Sequence, residues 1–155
     1  MRQTRLISGV RQVLVVVGAV FAGAMPSAGQ AAADGAVAFR SHLGDVCLDA
    51  PNGGWPSNVM INPCNGTDFQ RWNVTGDQKL ESVAFPGRCL TMPDGAGAAN
   101  LKSCLSTSRW NIAPNGPITA VFGPCLTVLG GPGPGTLVST RFCNGGPEQG
   151  WDSVP

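Results

Sequence analysis

Short apolar segments alternate with turn-forming residues along most of the chain, a pattern typical of β-strands joined by tight turns. Long runs with helical periodicity are few. Glycine and proline are abundant, with 22 and 13 residues, and clusters of them separate the apolar segments. The pattern therefore predicts an all-β protein. The candidate strands are residues 37–40, 59–62, 80–85, 118–122 and 137–142.

The N-terminal segment does not follow this pattern. Three arginines precede an uncharged apolar run at residues 13–25, and small residues then lead to Ala33, an order typical of a secretory signal peptide. The run has 13 residues, whereas a membrane-spanning helix needs about 20, so an uncleaved anchor is the less favoured alternative. The sequence predicts a signal peptide at 1–33 and a secreted, extracellular domain at 34–155, with no membrane association after cleavage.

Cleavage at that point would change the net charge of the protein. Residues 34–155 carry seven Lys or Arg and nine Asp or Glu, so their formal net charge is −2. A slightly acidic domain without a basic stripe argues against a nucleic acid or an anionic membrane as the partner.

Internal repetition is the strongest feature of the predicted domain. A Cys-Leu-(Asp or Thr) tripeptide, a second cysteine 15 to 18 residues after the first and a tryptophan 6 to 8 residues later recur three times in this order. The chain is therefore predicted to contain three copies of one unit, at about residues 34–77, 78–116 and 117–155. The first cysteines are Cys47, Cys89 and Cys125, the second are Cys64, Cys104 and Cys143, and the tryptophans are Trp72, Trp110 and Trp151.

The six cysteines favour disulfide bonds over a zinc site. No C-x-x-C pair is present and His42 is the only histidine, which argues against zinc, whereas an even number of cysteines in an exported chain is typical of a disulfide framework. Six cysteines allow 15 pairings, and the sequence alone does not choose among them. The repeat favours the pairing within units, Cys47–Cys64, Cys89–Cys104 and Cys125–Cys143, because one geometry made three times closes the same local loop three times.

The recurring tryptophans are predicted to fill the core, because an apolar residue at the same place in each unit converges on the pseudo-threefold axis. Trp55 is different, since it is not repeated and lies in a Gly-Gly-Trp-Pro turn. Two interpretations of Trp55 stay open, a local lid on the hydrophobic interior or a platform for a ligand.

The repeated motifs resemble those of the ricin B-type lectins. The tripeptides that end at Trp72 and Trp151 match the family's Q-x-W motif, and the one that ends at Trp110 has Ser108 in place of the glutamine. The tripeptide that begins at Cys47 matches the family's C-[LV]-D opening. The resemblance covers essentially the whole predicted domain, and the chain is similar to the small stand-alone secreted lectins of this type from mycobacteria and related bacteria.

This resemblance implies a β-trefoil of three four-stranded units, in which six strands form a barrel and six cap it. It also implies up to one shallow sugar site in each unit. The aspartate of C-x-D accepts hydrogen bonds from adjacent sugar hydroxyls, and an aromatic ring two residues before the second cysteine stacks on the sugar. An asparagine before Q-x-W donates to a hydroxyl, and the glutamine supports the aspartate. Carboxylates and aromatic rings suit these two faces of a sugar.

Only the first unit is close to this pattern. It keeps Asp49 and Gln70, but has Asn62 at the stacking position and Phe69 at the asparagine position. Trp55 or Phe69 is a candidate for the missing ring. The alternative for Asp49 is a solvated carboxylate or one that caps the turn at residues 52–53. Gln70, like Gln149 in the third unit, is predicted to support its neighbours rather than to contact the sugar.

The other two units depart further from the pattern. The second has Thr91, Lys102, Thr107 and Ser108 at the four positions, and no standard site is expected there. The third has Thr127 and Arg141 at the first two positions. Phe142 and Glu148 lie beside the usual positions and are predicted to form an improvised site.

Three functions are compatible with this sequence to different degrees. The sequence favours a lectin that binds glycans of unknown identity, mainly through its first unit. A β-trefoil that has drifted into a protein-interaction module is the alternative, because the second and third units lack standard residues. A hydrolase is disfavoured, since no convergent acid–base or nucleophilic set is visible. The prediction is a protein that is not an enzyme and that has no cofactor and no metal.

Overall fold

The structure is a computed structural model that describes residues 35–121 and 123–155. The predicted signal peptide lies outside these residues, as does Phe122 at the end of one predicted strand. None of the helices within the described ranges is long and apolar enough to cross a membrane.

Twelve strands and three single-turn 3-10 helices make up the regular structure of the described residues, and the fold is all-β as predicted. The 3-10 helices are Asp68–Gln70, Cys104–Ser106 and Pro147–Gln149. The first repeat contains β1 (Ala38–Ser41), β2 (Val46–Asp49), β3 (Met60–Pro63) and β4 (Trp72–Val74). The second contains β5 (Leu80–Ser82), β6 (Arg88–Thr91), β7 (Asn100–Ser103) and β8 (Trp110–Ile112). The third contains β9 (Ile118–Ala120), β10 (Cys125–Val128), β11 (Thr136–Arg141) and β12 (Trp151–Val154).

The first and last strands of each repeat join into a closed barrel. Strands β4 and β5, β8 and β9, and β12 and β1 pair as antiparallel neighbours across the junctions between repeats. The ring is completed by three equivalent backbone hydrogen bonds, from Trp72 to Val37, from Trp110 to Gln78 and from Trp151 to Gly116. Closure leaves no free barrel edge, which is the usual way for an antiparallel sheet to avoid unpaired backbone groups.

The second and third strands of each repeat form a hairpin, and the three hairpins β2–β3, β6–β7 and β10–β11 cap the barrel. They meet in a triangle of backbone hydrogen bonds. The amide of Val59 donates to Ala99 (2.8 Å), that of Ala99 to Val138 (2.8 Å), and that of Val138 to Val59 (3.0 Å). This cyclic arrangement places the pseudo-threefold axis at these three residues and confirms that the repeats are equivalent.

The core is shared by all three repeats. Trp72, Trp110 and Trp151 are at most 2% exposed. Each indole Nε1 donates to the backbone carbonyl of the leucine that follows the first cysteine of its own repeat, at 3.1–3.2 Å. The tryptophans therefore occupy the core and satisfy their only polar group there.

The disulfide bonds lie within the repeats, as the repetition favours. Cys47 pairs with Cys64, Cys89 with Cys104 and Cys125 with Cys143, across 17, 15 and 18 residues. Each bond joins the first strand of a capping hairpin to a cysteine one or two residues after the end of its second strand.

Candidate functional site

The first repeat carries a carboxylate at a position where the other two carry a hydroxyl. Asp49 is the last residue of β2, two residues after Cys47, and Thr91 and Thr127 hold the equivalent positions. The pairing of β2 with β3 places Asp49 opposite Met60, beside the second strand of the hairpin. The three repeats are therefore alike in backbone but not in the chemistry they offer.

Two side-chain amides hold the Asp49 carboxylate. Gln70 Nε2 donates to Oδ2 at 2.9 Å, and Asn62 Nδ2 donates to the same oxygen at 3.1 Å. Asp49 is only 4% exposed, and its Oδ1 atom is buried without a hydrogen-bond partner among the described residues. Asp49 is thus neither a solvated carboxylate nor the cap of the turn at residues 52–53, where Gly54 N bonds to Asn52 instead. That alternative is wrong.

Gln70 also fixes the chain around the second cysteine. Its Nε2 donates to the Pro63 carbonyl (3.0 Å), and its Oε1 accepts from Asn65 N (2.9 Å). Gln149 makes the same three kinds of bond in the third repeat, to Thr127, Phe142 and Asn144. Because the pattern recurs whether the partner is a carboxylate or a hydroxyl, this glutamine is a structural support that also orients the side chain two residues after the first cysteine.

Asn62 occupies the position where the lectin pattern has a stacking ring. Its Nδ2 binds Asp49, and its Oδ1 accepts from the amide of Gly135 in the third repeat at 2.9 Å. Both ends of the amide are therefore occupied. Asn62 links the carboxylate to the loop of a neighbouring repeat, which its sequence position alone does not reveal.

Phe69 lies next to Asp49, because its carbonyl accepts from the amide of Ala50 at 3.0 Å. Its partly exposed ring packs at 5.8 Å, centroid to centroid, against Phe85, a residue that the sequence motifs do not mark. Phe85 in turn covers Gly53, where a Cβ would lie only 2.4 Å from the ring. Glycine at this point lets the loop after Asp49 lie flat on the aromatic pair.

Trp55 does not share a cleft with Asp49. Its side chain is 93% exposed, so the interpretation as a lid on the interior is wrong. It lines a cleft of about 190 Å³ whose other residues come largely from the second repeat and include neither Asp49 nor Gln70. The expectation that Trp55 supplies the missing ring to the carboxylate of the first repeat is therefore not met in this conformation.

In the third repeat Phe142 and Glu148 reach the surface, whereas Thr127, which replaces the aspartate, does not. Phe142 is almost fully exposed, and Glu148 accepts a hydrogen bond from Asn144 Nδ2 at 2.9 Å. This bond lowers the pKa of the Glu148 carboxyl below its ordinary value. Thr127, in contrast, is buried and donates to the Cys125 carbonyl at 2.8 Å.

In the second repeat, two hydroxyl groups replace the aspartate and the glutamine and bond to each other. Thr91 and Ser108 bond to each other at 3.1 Å, and Ser108 also accepts from the amide of Met92 at 3.0 Å. Lys102, at the stacking position, forms an ion pair with Asp94. None of these groups reproduces a carboxylate supported by a glutamine.

Three hairpin-capped repeats around a closed six-stranded barrel define a β-trefoil. The family model described as ricin-type beta-trefoil lectin domain matches residues 35–151, and the chain belongs to this family. The matching model is that of a lectin domain rather than a catalytic one. Three disulfide bonds are also typical of proteins outside the cytoplasm.

The chain is similar both to a mycobacterial protein and to solved trefoil structures. An uncharacterized protein of Mycobacterium tuberculosis is 55% identical over 158 residues, which cover 100% of both chains. The C-half of the earthworm R-type lectin, solved in complex with GalNAc, superposes with a TM-score of 0.66 at 13% identity and covers 77% of this chain and 98% of that one. The designed threefold-symmetric protein ThreeFoil gives a TM-score of 0.63 at 23% identity and covers 79% and 99%. At these identities the solved structures establish the fold.

Proposed function

We propose that this chain is a secreted carbohydrate-binding lectin whose main site lies in the first repeat. The observation that carries the proposal is the Asp49 carboxylate, which Gln70 and Asn62 hold through one oxygen while the other oxygen has no partner among the described residues. A buried carboxylate oxygen without a hydrogen bond is costly, and a ligand hydroxyl that donates to it would remove this cost.

The geometry suits adjacent sugar hydroxyls. An ionised carboxylate forms charge-assisted hydrogen bonds that are roughly twice as strong as neutral ones, and Gln70 and Asn62 fix the orientation of Asp49 before a ligand arrives. Phe69 is partly exposed, and its carbonyl accepts a hydrogen bond from the amide of Ala50, the residue after Asp49. Its ring is available to cover the C–H face of a sugar.

Access to Asp49 requires a small movement. Because its Oδ1 atom is buried, a sugar hydroxyl reaches it only when a neighbouring side chain shifts. The chain acts outside the cell after removal of residues 1–33, and it binds glycans without catalysing a reaction, as its family match to a lectin domain supports.

The first test is an Asp49→Asn variant of the full chain. This change keeps the size of the side chain and removes the charge, so we expect binding to weaken by about tenfold or more, the effect of losing one charge-assisted hydrogen bond. A glycan array should select the probe, and N-acetylgalactosamine is the first monosaccharide to try because the earthworm lectin was solved with it. Titration calorimetry then measures the affinity.

Asp45→Asn is the matched control, since Asp45 is an exposed carboxylate of the same repeat that has no side-chain hydrogen bond among the described residues. It should bind like the parent, and thermal melts should show that all three proteins are folded. Equal binding by the parent and the Asp49 variant would contradict a sugar site in the first repeat. Capture of a protein partner that sugars do not displace, without glycan binding, would favour the interaction module.

A further inference from the structure

Four asparagines of the chain are followed directly by a glycine. They are Asn52, Asn65, Asn115 and Asn144. An asparagine in this dipeptide can lose its side-chain amide nitrogen without an enzyme, because the glycine has no Cβ to hinder the approach of its own nitrogen to the asparagine Cγ. In a folded protein the reaction also depends on how firmly the asparagine side chain is held. The hydrogen bonds of the four side chains therefore decide which of them is reactive.

Three of the four side chains are held in the same way. The Oδ1 atom accepts a hydrogen bond from the backbone amide two residues later, at 2.9 Å in Asn52, 3.0 Å in Asn65 and 2.7 Å in Asn144. This arrangement is the Asx-turn, in which the side chain takes the place of a backbone carbonyl in a turn. Because Cγ has to rotate towards the nitrogen of the next residue before a ring can close, the reaction has to break this bond first.

Each of these three side chains has a second hydrogen bond. Asn52 Nδ2 donates to the Pro56 carbonyl at 3.0 Å, and Asn144 Nδ2 donates to Glu148 Oε1 at 2.9 Å. In Asn65, the hydroxyl of the threonine two residues later donates to Oδ1 at 2.7 Å. The loss of two hydrogen bonds raises the barrier to ring closure at all three sites.

Asn115 has neither kind of protection. Residue 117 is a proline, which has no N–H group, so an Asx-turn cannot form at this site. The Asn115 side chain is exposed and makes no hydrogen bond among the residues that the structure describes. Ring closure at Asn115 therefore breaks no side-chain contact of this kind.

We propose that Asn115 is a site of spontaneous deamidation, with water as the co-reactant. The Gly116 nitrogen bonds to Cγ of Asn115, and the Cγ–Nδ2 bond breaks as ammonia leaves with the proton of the Gly116 amide. Water then opens the cyclic imide at one of its two carbonyls. Opening at Cγ leaves an aspartate, whereas opening at the main-chain carbonyl leaves an isoaspartate, whose backbone runs through the former side chain.

The place of Asn115 in the fold gives this modification a structural effect. Asn115 lies in the turn between β8 and β9, and the carbonyl of the next residue, Gly116, accepts from the Trp151 amide at 3.0 Å. That bond is one of the three that complete the barrel ring. An isoaspartate inserts an extra carbon atom into the backbone of the turn and displaces the Gly116 carbonyl, so modified molecules should have a less stable barrel.

The inference is independent of the proposed function. Asn115 lines a cleft of about 410 Å³ together with His42 and residues of the third repeat, and Asp49 does not line this cleft. Deamidation at Asn115 adds a negative charge, so the formal net charge of residues 34–155 changes from −2 to −3. The modified protein is therefore separable from the parent by anion exchange.

Incubation of the folded full chain at mildly alkaline pH, in water labelled with heavy oxygen, tests the assignment. Peptide mapping by mass spectrometry measures the conversion at each site, because the product keeps an oxygen atom from the labelled water. Asn115 should convert about tenfold faster than Asn52, Asn65 and Asn144, since only these three lose hydrogen bonds before ring closure. In the reduced chain unfolded in urea, this difference should be largely lost.

Two variants test the effect on the barrel. Asn115→Gly is the matched control, because glycine tolerates the positive φ of this position (49°) and has no amide nitrogen to lose. The urea midpoint of the parent should fall during the incubation, whereas that of Asn115→Gly should stay constant. Asn115→Asp has the added charge without the extra backbone carbon, and its midpoint should lie near that of the fresh parent.

The assignment is supported if Asn115 converts first in the folded chain and loses its lead on unfolding. It is overturned by absence of labelled product at residue 115, by faster conversion at one of the other three sites, or by the same lead in folded and unfolded chains. An equal fall in midpoint for Asn115→Gly, or a midpoint of fresh Asn115→Asp as low as that of the incubated parent, overturns the effect of the lengthened backbone on the barrel.

Discussion

At the scale of the residue, one side chain determines what each repeat can do. The same glutamine geometry meets a carboxylate at Asp49 in the first repeat and a hydroxyl at Thr127 in the third. In the second repeat a serine replaces the glutamine, and it bonds to Thr91. Equivalent hairpins therefore present one carboxylate and two hydroxyl groups, and this difference predicts that the repeats differ in binding.

This difference predicts unequal costs for the two glutamines. Gln70→Ala removes a donor from a buried carboxylate, whereas Gln149→Ala removes one from a buried hydroxyl that keeps its bond to Cys125. We expect both to destabilise the protein by about 1–3 kcal/mol, with the larger loss for Gln70, because an unsatisfied charge costs more than an unsatisfied neutral group. Urea denaturation of the two variants measures this, and a smaller loss for Gln70→Ala would contradict it.

At the scale of the element, the capping hairpins are the units that the disulfide bonds stabilise. Each bond closes a loop of 15 to 18 residues around one hairpin. In the chain-entropy model such a loop contributes about 3 kcal/mol by restricting the unfolded chain. The contribution grows only with the logarithm of loop length, so the three bonds should contribute nearly equally.

Three double variants test this equivalence. Replacing both cysteines of one pair by alanine, in Cys47/Cys64, Cys89/Cys104 or Cys125/Cys143, should lower the free energy of unfolding by about 3 kcal/mol in each case. Guanidinium denaturation with the remaining disulfides intact gives the three values. One pair with a loss several times that of the others would show that the hairpins do not play equivalent parts.

At the scale of the whole molecule, the repeats share one core and cannot be separated. Buried residues from all of them form a single cluster that includes Phe39, Leu90 and Val138, and the triangle of backbone bonds at the threefold axis needs one member from each repeat. A repeat that opened would expose apolar surface on its two neighbours and break their hydrogen bonds. The three repeats are therefore expected to unfold together.

We expect a single cooperative unfolding transition. Emission from the buried tryptophans, one in each repeat, and far-UV circular dichroism should follow the same curve as guanidinium is added. The experiment uses the Trp55→Phe variant, because it lacks the exposed tryptophan and its emission comes from the three core tryptophans. Two separated transitions, or curves that do not coincide, would contradict a shared core.

The sequence predicted most of the architecture because its markers are local and repeated. The Cys-Leu-(Asp or Thr) tripeptides, the second cysteines and the tryptophans recur at one period, and each forms bonds within its own repeat, as in Cys47–Cys64. The same is true of Gln70, whose side-chain hydrogen bonds among the described residues reach only to Asp49 and to residues 63–65. Such contacts follow from spacing along the chain.

The remaining features of the candidate site depend on contacts between repeats. Asn62 bonds to Gly135 of the third repeat, and Trp55 lines a cleft with Lys102 of the second. Neither pair is marked by periodicity, since the loops concerned differ in length and sequence from one repeat to the next. Which loop lies beside which neighbour is set by the closure of the barrel, and the sequence pattern does not show it.

The pairing of β12 with β1 has a practical consequence for how the molecule can be tethered. Ala38 lies opposite Val154 in this pair, so both ends of the described domain leave from one side of the barrel. A surface, a label or a second protein attached at either end would hold the molecule in nearly the same orientation. An immobilised form would therefore present the same loops to a ligand whichever end is used.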